Sequence, residues 1–178
     1  MKDIVERLHD LDDKVMDGYE LTDEELGFLF SCLEHENPGL NAKAAITLTN
    51  LDLPILEKIL EKFDTYSQRA RLILIPMLAG ADYYQVFKFL FETLKKEPEG
   101  VQAGVIVTCL SKTEYFILPL IIFYLFEDNR KLRMQLKKIL VNIGFETIKP
   151  YLAILPEIPH ETVFREVYGD EAIESLKK

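Results

Sequence analysis

Apolar residues recur at helical spacing along nearly the whole chain, and residues that stop helices interrupt them every ~10–15 positions, a typical helix length. Ile4, Val5, Leu8, Leu11 and Val15 form one stripe, with Asp and Glu on the other faces, which predicts an amphipathic helix ending near Gly18. Thr22-Asp-Glu-Glu25 reads as a capping box ahead of Leu26, Phe28, Leu29, Phe30 and Leu33. Asn37-Pro38-Gly39 breaks that helix, 40–51 resumes it, and Pro54 suits the first turn of the next. Thr65 to Gln68 and Ser111 to Glu114 predict two further capping boxes. The first opens a helix that Gly80 ends, and the second opens 115–127. Helices are also predicted over 82–96, from near Pro98 to Leu110, and from the Asp128-Asn129 turn to Gly144. Residues 146–178 read as two or three shorter helices broken by Pro156, Pro159 and Gly169. No segment alternates as a strand does.

The beat is also a repeat. Ala44, Leu48 and Leu51 superimpose on Ala70, Leu74 and Met77 after a shift of 26 residues. Further shifts of 33 reach Ala103, Val107 and Leu110, then Leu136, Leu140 and Ile143. Such periods suit a helical hairpin, which cannot bury its apolar face alone and must stack on neighbours. A small residue opens three of the four copies, which allows close approach of neighbouring helices.

Leu118-Pro119, Asp128, Leu132-Arg133 and Leu140 to Gly144 follow one another in the order of a HEAT repeat, which the stretch 117–144 resembles. Gly144 to Leu152 resembles the start of another copy. Asn37 to Asn41 with Ala44-Ala45 is a weaker version, in which Asn41 stands where the family has Arg. The resemblance covers roughly 22–155. It implies an all-α fold, a right-handed superhelix of stacked antiparallel hairpins. One domain then spans 1–178, with 1–17 as an acidic N-terminal capping helix and 156–178 as a C-terminal cap. It also implies a binding module without catalysis.

Charge narrows the partners. Residues 1–37 hold twelve acids against three bases, whereas 38–178 hold eighteen of each, so the net −9 sits at one end. An acidic end repels phosphate, and nucleic acid is disfavoured. Two distant cysteines make no disulfide framework and suit a reducing compartment, so a cytoplasmic location is expected. The opening residues carry no apolar signal-peptide core, and the longest apolar run, 115–126, is short of the ~20 residues of a spanning helix. That run is apolar right around, which predicts burial on all sides, under the terminal helices or in a homodimer.

Chemistry-bearing motifs are scarce. Cys32 and His35 lie three apart on one helix face, but a structural zinc site needs four ligands and no second pair exists, so no metal and no other cofactor is expected. Cys109 reads as core packing. No phosphate loop, nucleophile elbow or HExxH occurs. Two sets of residues are candidates for binding a protein or peptide partner. Lys43, Arg69, Gln102 and Gln135 occupy equivalent second-helix positions and would form a ladder of donors. Arg130, Arg133 and Lys137, with Lys131 and Lys138, make a basic cluster. That cluster leaves a second reading open, an enzyme resembling the HEAT-like DNA glycosylases.

Overall fold

The computed structural model describes residues 3–81 and 83–177. Among them are twelve α-helices, three short 3-10 turns and no strand. The helices are α1 (Ile4–Met16), α2 (Asp23–Leu33), α3 (Pro38–Thr49), α4 (Leu53–Lys62), α5 (Gln68–Gly80), α6 (Tyr84–Lys96), α7 (Val101–Leu110), α8 (Leu118–Leu125), α9 (Arg130–Ile143), α10 (Phe145–Ala153), α11 (Glu161–Tyr168) and α12 (Asp170–Glu174). Asp82, the expected start of α6, lies outside the described residues.

Local side-chain chemistry sets the helix ends. The Thr22 box forms: Thr22 Oγ1 accepts from the Glu25 N–H at 3.3 Å, and the Glu25 carboxylate accepts from the Thr22 N–H at 2.7 Å. The Thr65 box does not. Thr65 Oγ1 donates to the Lys62 carbonyl at 2.6 Å, closing the preceding turn, and Ser67 caps α5 instead by accepting from Ala70 N–H. The Ser111 box involves the Glu114 side chain, which lies outside the described residues; Ser111 Oγ donates to the Val107 carbonyl at the end of α7. Asn37 starts α3 rather than merely ending α2, accepting from Gly39 N–H at 2.9 Å with Pro38 in the first turn. Gly144, at φ +85°, lets α9 stop and α10 begin on the next residue.

The chain divides into two compact units, Met1–Val86 and Phe87–Lys178. In the first, α3 is central and packs on α1, α2, α4 and α5. Ala44, Ala45, Leu48, Ala70 and Leu74 are wholly buried there. Asn41 is buried as well, and its Nδ2, whose two N–H groups the three acceptors share, lies 2.9, 2.7 and 2.7 Å from the carbonyl oxygens of Cys32, Leu33 and His35. One amide thus caps the orphan carbonyls at the end of α2.

Helix α1 is held by Leu8 and Leu11, both buried, while Ile4 and Val5 are exposed, so its apolar stripe is narrower than expected. Polar ties complete the docking. Lys43 pairs with Asp12, Thr47 Oγ1 donates to Asp12 at 2.9 Å, and Lys14 pairs with Glu25 at 2.8 Å. Burial works against the charged Asp12, but the hydrogen bonds from Lys43 and Thr47 outweigh it and hold its carboxyl below the usual range. Glu25 is also lowered, first by Lys14 and then by the Thr22 N–H. Depressed carboxyls stabilise the fold above their unfolded values, and that stability is lost as pH falls through the folded ones. The first unit should therefore melt earlier as pH drops below about 4. Thermal melts from pH 7 to 3 check this, and Asp12→Asn should flatten the acid slope.

In the second unit α9 is central, packing on α7, α8, α10 and α11. Leu132, Leu136, Ile139 and Leu140 are wholly buried, as are Phe91 and Leu110, and Ala103 is nearly so. The repeat register therefore points inward in α3, α5, α7 and α9 alike. Phe91 stacks on Tyr124 at 5.2 Å, and the Tyr124 hydroxyl donates to Glu92 at 2.7 Å. Arg165 gathers the C-terminal helices by donating to Glu161 at 2.5 Å, Asp170 at 2.9 Å and Glu174.

The expectation for 115–126 needs correction. A 3-10 turn over 114–117 precedes the short α8, and the side chain of Tyr115 lies outside the described residues. Leu118, Leu120, Ile121, Tyr124 and Leu125 are buried, but Phe116, Phe123 and Phe126 are 44%, 59% and 71% exposed. Phe116, in the 3-10 turn, meets Phe87 edge-on at 5.4 Å, and Phe126, just past α8, meets the His160 ring at 4.1 Å, so both are only partly covered. One face of the eight-residue helix fills the core, and Phe123 on the other stays exposed.

Candidate partner-binding surface

The four ladder residues have different fates. Lys43 and Arg69 lie in the first unit, Gln102 and Gln135 in the second. Arg69 is exposed. Lys43 is half-buried in its pair with Asp12. Gln102 is buried, which removes it from any outer surface, because the inward register of α7 turns position 102 beside Ala103 and Ile106. Gln135 donates to the Pro98 carbonyl at 2.6 Å and joins α9 to the segment before α7. Three of the four thus serve the fold.

The basic cluster also divides. Lys131 pairs with Glu99 at 2.6 Å, and Lys137 with Glu166. Glu166 is lowered in consequence, first by the hydrogen bond from Lys137 and next by its charge. Arg130, Arg133 and Lys138 are exposed and form no ion pair among the described residues. Arg133 acts at a distance on His160, whose protonation is disfavoured first by burial and then by that positive charge. His160 sits at φ +55°, its ring 4.1 Å from that of Phe126.

Helices α7 and α9 pack side by side and run in the same direction. Lys131–Glu99 and Gln135–Pro98 join them before the start of α7, and Asn142 Nδ2 donates to Ser111 Oγ at 3.2 Å beyond its end. Their outward residues are Val101 at 64% exposure, Gly104 and Thr108 on α7, with Met134 at 52% and Val141 at 58% on α9. A Cβ built on Gly104 would meet nothing within 4 Å. Neither helix contains an Asp or Glu, in a chain that has thirty. Arg130, Lys138 and, just past α7, Lys112 are the exposed charges around this shallow groove that lack an ion-pair partner among the described residues. The cluster at 130–138 was legible as a run of bases. The groove was not, because it depends on α7 lying beside α9.

Elsewhere the geometry offers little for chemistry. Cys32 is buried and its thiol is pushed up by burial, while His35 Nδ1 accepts from the Asn37 N–H at 3.1 Å. Cys109 is half-buried, its thiol also raised by burial. Among the described residues no three His, Cys, Asp or Glu converge as metal ligands would. An open hollow of about 370 Å³ beside α1 and α3 is lined by Val15, Tyr19, Leu26, Asn50 and Ile55 among others. Among the described residues no helix is long and apolar enough to cross a membrane. No protein-family model matches the chain, and no curated protein matches it.

Proposed function

We propose that the protein is a non-catalytic scaffold for protein–protein interaction, built from HEAT-like hairpins stacked in a right-handed superhelix and working in the reducing cytoplasm. The stacking reading rests on the shared buried register of α3, α5, α7 and α9 and on the side-by-side packing of α3 with α5 and of α7 with α9. One observation carries the binding reading: α7 and α9, which contain no acid of their own, leave Val101, Met134 and Val141 exposed beside three unpaired cations. Exposed apolar side chains rimmed by charge mark interaction sites. Cross-linking of the protein in its native cell should yield protein partners in stoichiometric amounts. Release of a modified base from alkylated duplex DNA would favour the glycosylase reading instead. Any DNA binding should be weak and collapse between ~50 and 200 mM salt.

A second reading, self-association, is favoured by the exposed aromatic side chains on and beside α8. Phe123 on α8 and Phe126 just past its end are 59% and 71% exposed, and exposed apolar side chains so grouped mark interaction sites. Sedimentation should show a dimer that Phe123→Ser with Phe126→Ser converts to monomer. A wild-type monomer at all concentrations would reject it.

A further inference from the structure

We propose that the α7/α9 groove is the docking site for an acidic amphipathic helix presented by a protein partner. The inference rests on the interaction reading above and names the chemistry of the partner. Charge complementarity is the first argument. The two helices together supply no carboxylate, and Lys131 is the basic residue of this face that Glu99 neutralises. Arg130, Lys138 and Lys112 remain unpaired and exposed around the groove.

Shape and polarity supply the second argument. The floor runs along ten residues of α7, or ~15 Å, which matches about three turns of a docked helix. Gly104 leaves it open at its middle, with Val101 and Thr108 on α7 and Met134 and Val141 on α9 as the exposed side chains. Met is an adaptable side chain that packs against varied apolar partners. A phosphate backbone would satisfy the cations but leave Val101, Met134 and Val141 uncovered. A helix with Leu on one face and Glu along its flanks satisfies both, in the helix-in-groove manner.

Fluorescence anisotropy on the 178-residue chain tests this with a labelled 14-residue synthetic peptide, Leu at i, i+3, i+4 and i+7 and Glu at most other positions. The comparison probes are a scrambled peptide of the same composition and a labelled 15-nucleotide oligothymidylate. The ordered peptide should bind at least tenfold more tightly than the scrambled one at 150 mM salt. Gly104→Gln should weaken it at least tenfold, since the new side chain occupies open space and helix propensity rises. Circular dichroism should show the variant as helical as the wild type. Arg130→Glu with Lys138→Glu should weaken binding as strongly, and Met134→Ser provides a separate test of the apolar component by weakening it at high salt as well.

Equal binding of ordered and scrambled peptides, or no effect of Gly104→Gln and Met134→Ser, overturns the proposal. So does tighter binding of the oligonucleotide, which would assign the face to nucleic acid. If the peptide fails while cross-linked protein partners persist on Gly104→Gln, the interaction reading stands and this site falls. If no protein partner is captured from the native cell, the broader reading falls as well.

Discussion

Deleting residues 1–17 is expected to cost the first unit most of its stability. Helix α1 buries Leu8 and Leu11 almost completely against its neighbours. Full burial of each contributes about 1.5–3 kcal/mol, so the pair is worth about 3–6. The deletion also strips Lys43 of Asp12 and Glu25 of Lys14, and bares the side of α3 that α1 covers. Against a typical stability of about 5–15 kcal/mol, that loss is enough to unfold a small unit near body temperature. Differential scanning calorimetry should show an early transition or aggregation on heating. An unchanged melting temperature would mean that α1 adds nothing to the fold. Ile4 and Val5 are exposed, so Ile4→Ser with Val5→Ser should shift melting far less than Leu8→Ala, which is expected to cost about 2–5 kcal/mol.

Asn41→Asp is expected to have the largest effect of any single-atom exchange in the chain. Asn41 Nδ2 lies within 2.9 Å of three carbonyl oxygens and the residue is wholly buried. A carboxylate there would face three acceptors with no proton to offer, and a buried uncompensated charge costs about 3–5 kcal/mol. The acid would be forced to take up a proton, so the variant should regain stability as pH falls, opposite in sign to the acid weakening expected of Asp12. Chemical denaturation at pH 5 and pH 8 reads this directly. Asn41→Ala should be milder, because it leaves carbonyls unsatisfied without adding a charge, at about 1–3 kcal/mol. Equal stability of Asn41→Asp and wild type at pH 8 would rule out the capping role.

The opposite outcomes of two similar motifs show what is legible locally. Thr22 and Glu25 lie just before an apolar run, and both groups find each other within one turn. Thr65 and Gln68 have the same spacing, but the 3-10 turn Phe63–Thr65 that continues α4 takes Thr65 into its own end, where the hydroxyl donates to the Lys62 carbonyl. A capping box is a local pattern, whereas which element claims the threonine depends on where the previous one stops. Asn41 shows the same limit. It is visible as a departure from an Arg expected by resemblance, but its three carbonyl partners appear only when α2 and α3 are folded together.

The helical class, the acidic first helix and the inward register of Ala44, Ala70, Ala103 and Leu136 were determined by the sequence alone. Each follows from spacing along a single helix, and helical periodicity is a property of neighbouring residues. The fate of each polar and aromatic side chain was decided only by the tertiary structure. Phe123 and Phe126 are as apolar as Leu120 and Ile121, yet they stay 59% and 71% exposed, Phe126 with only the His160 ring against it. Lys131 and Lys137 lie in the same basic run as Arg130 and Lys138, yet Glu99 and Glu166 reach only the first two. Exposure and pairing belong to the space between helices, and periodicity within one helix carries no information about which other helix occupies that space.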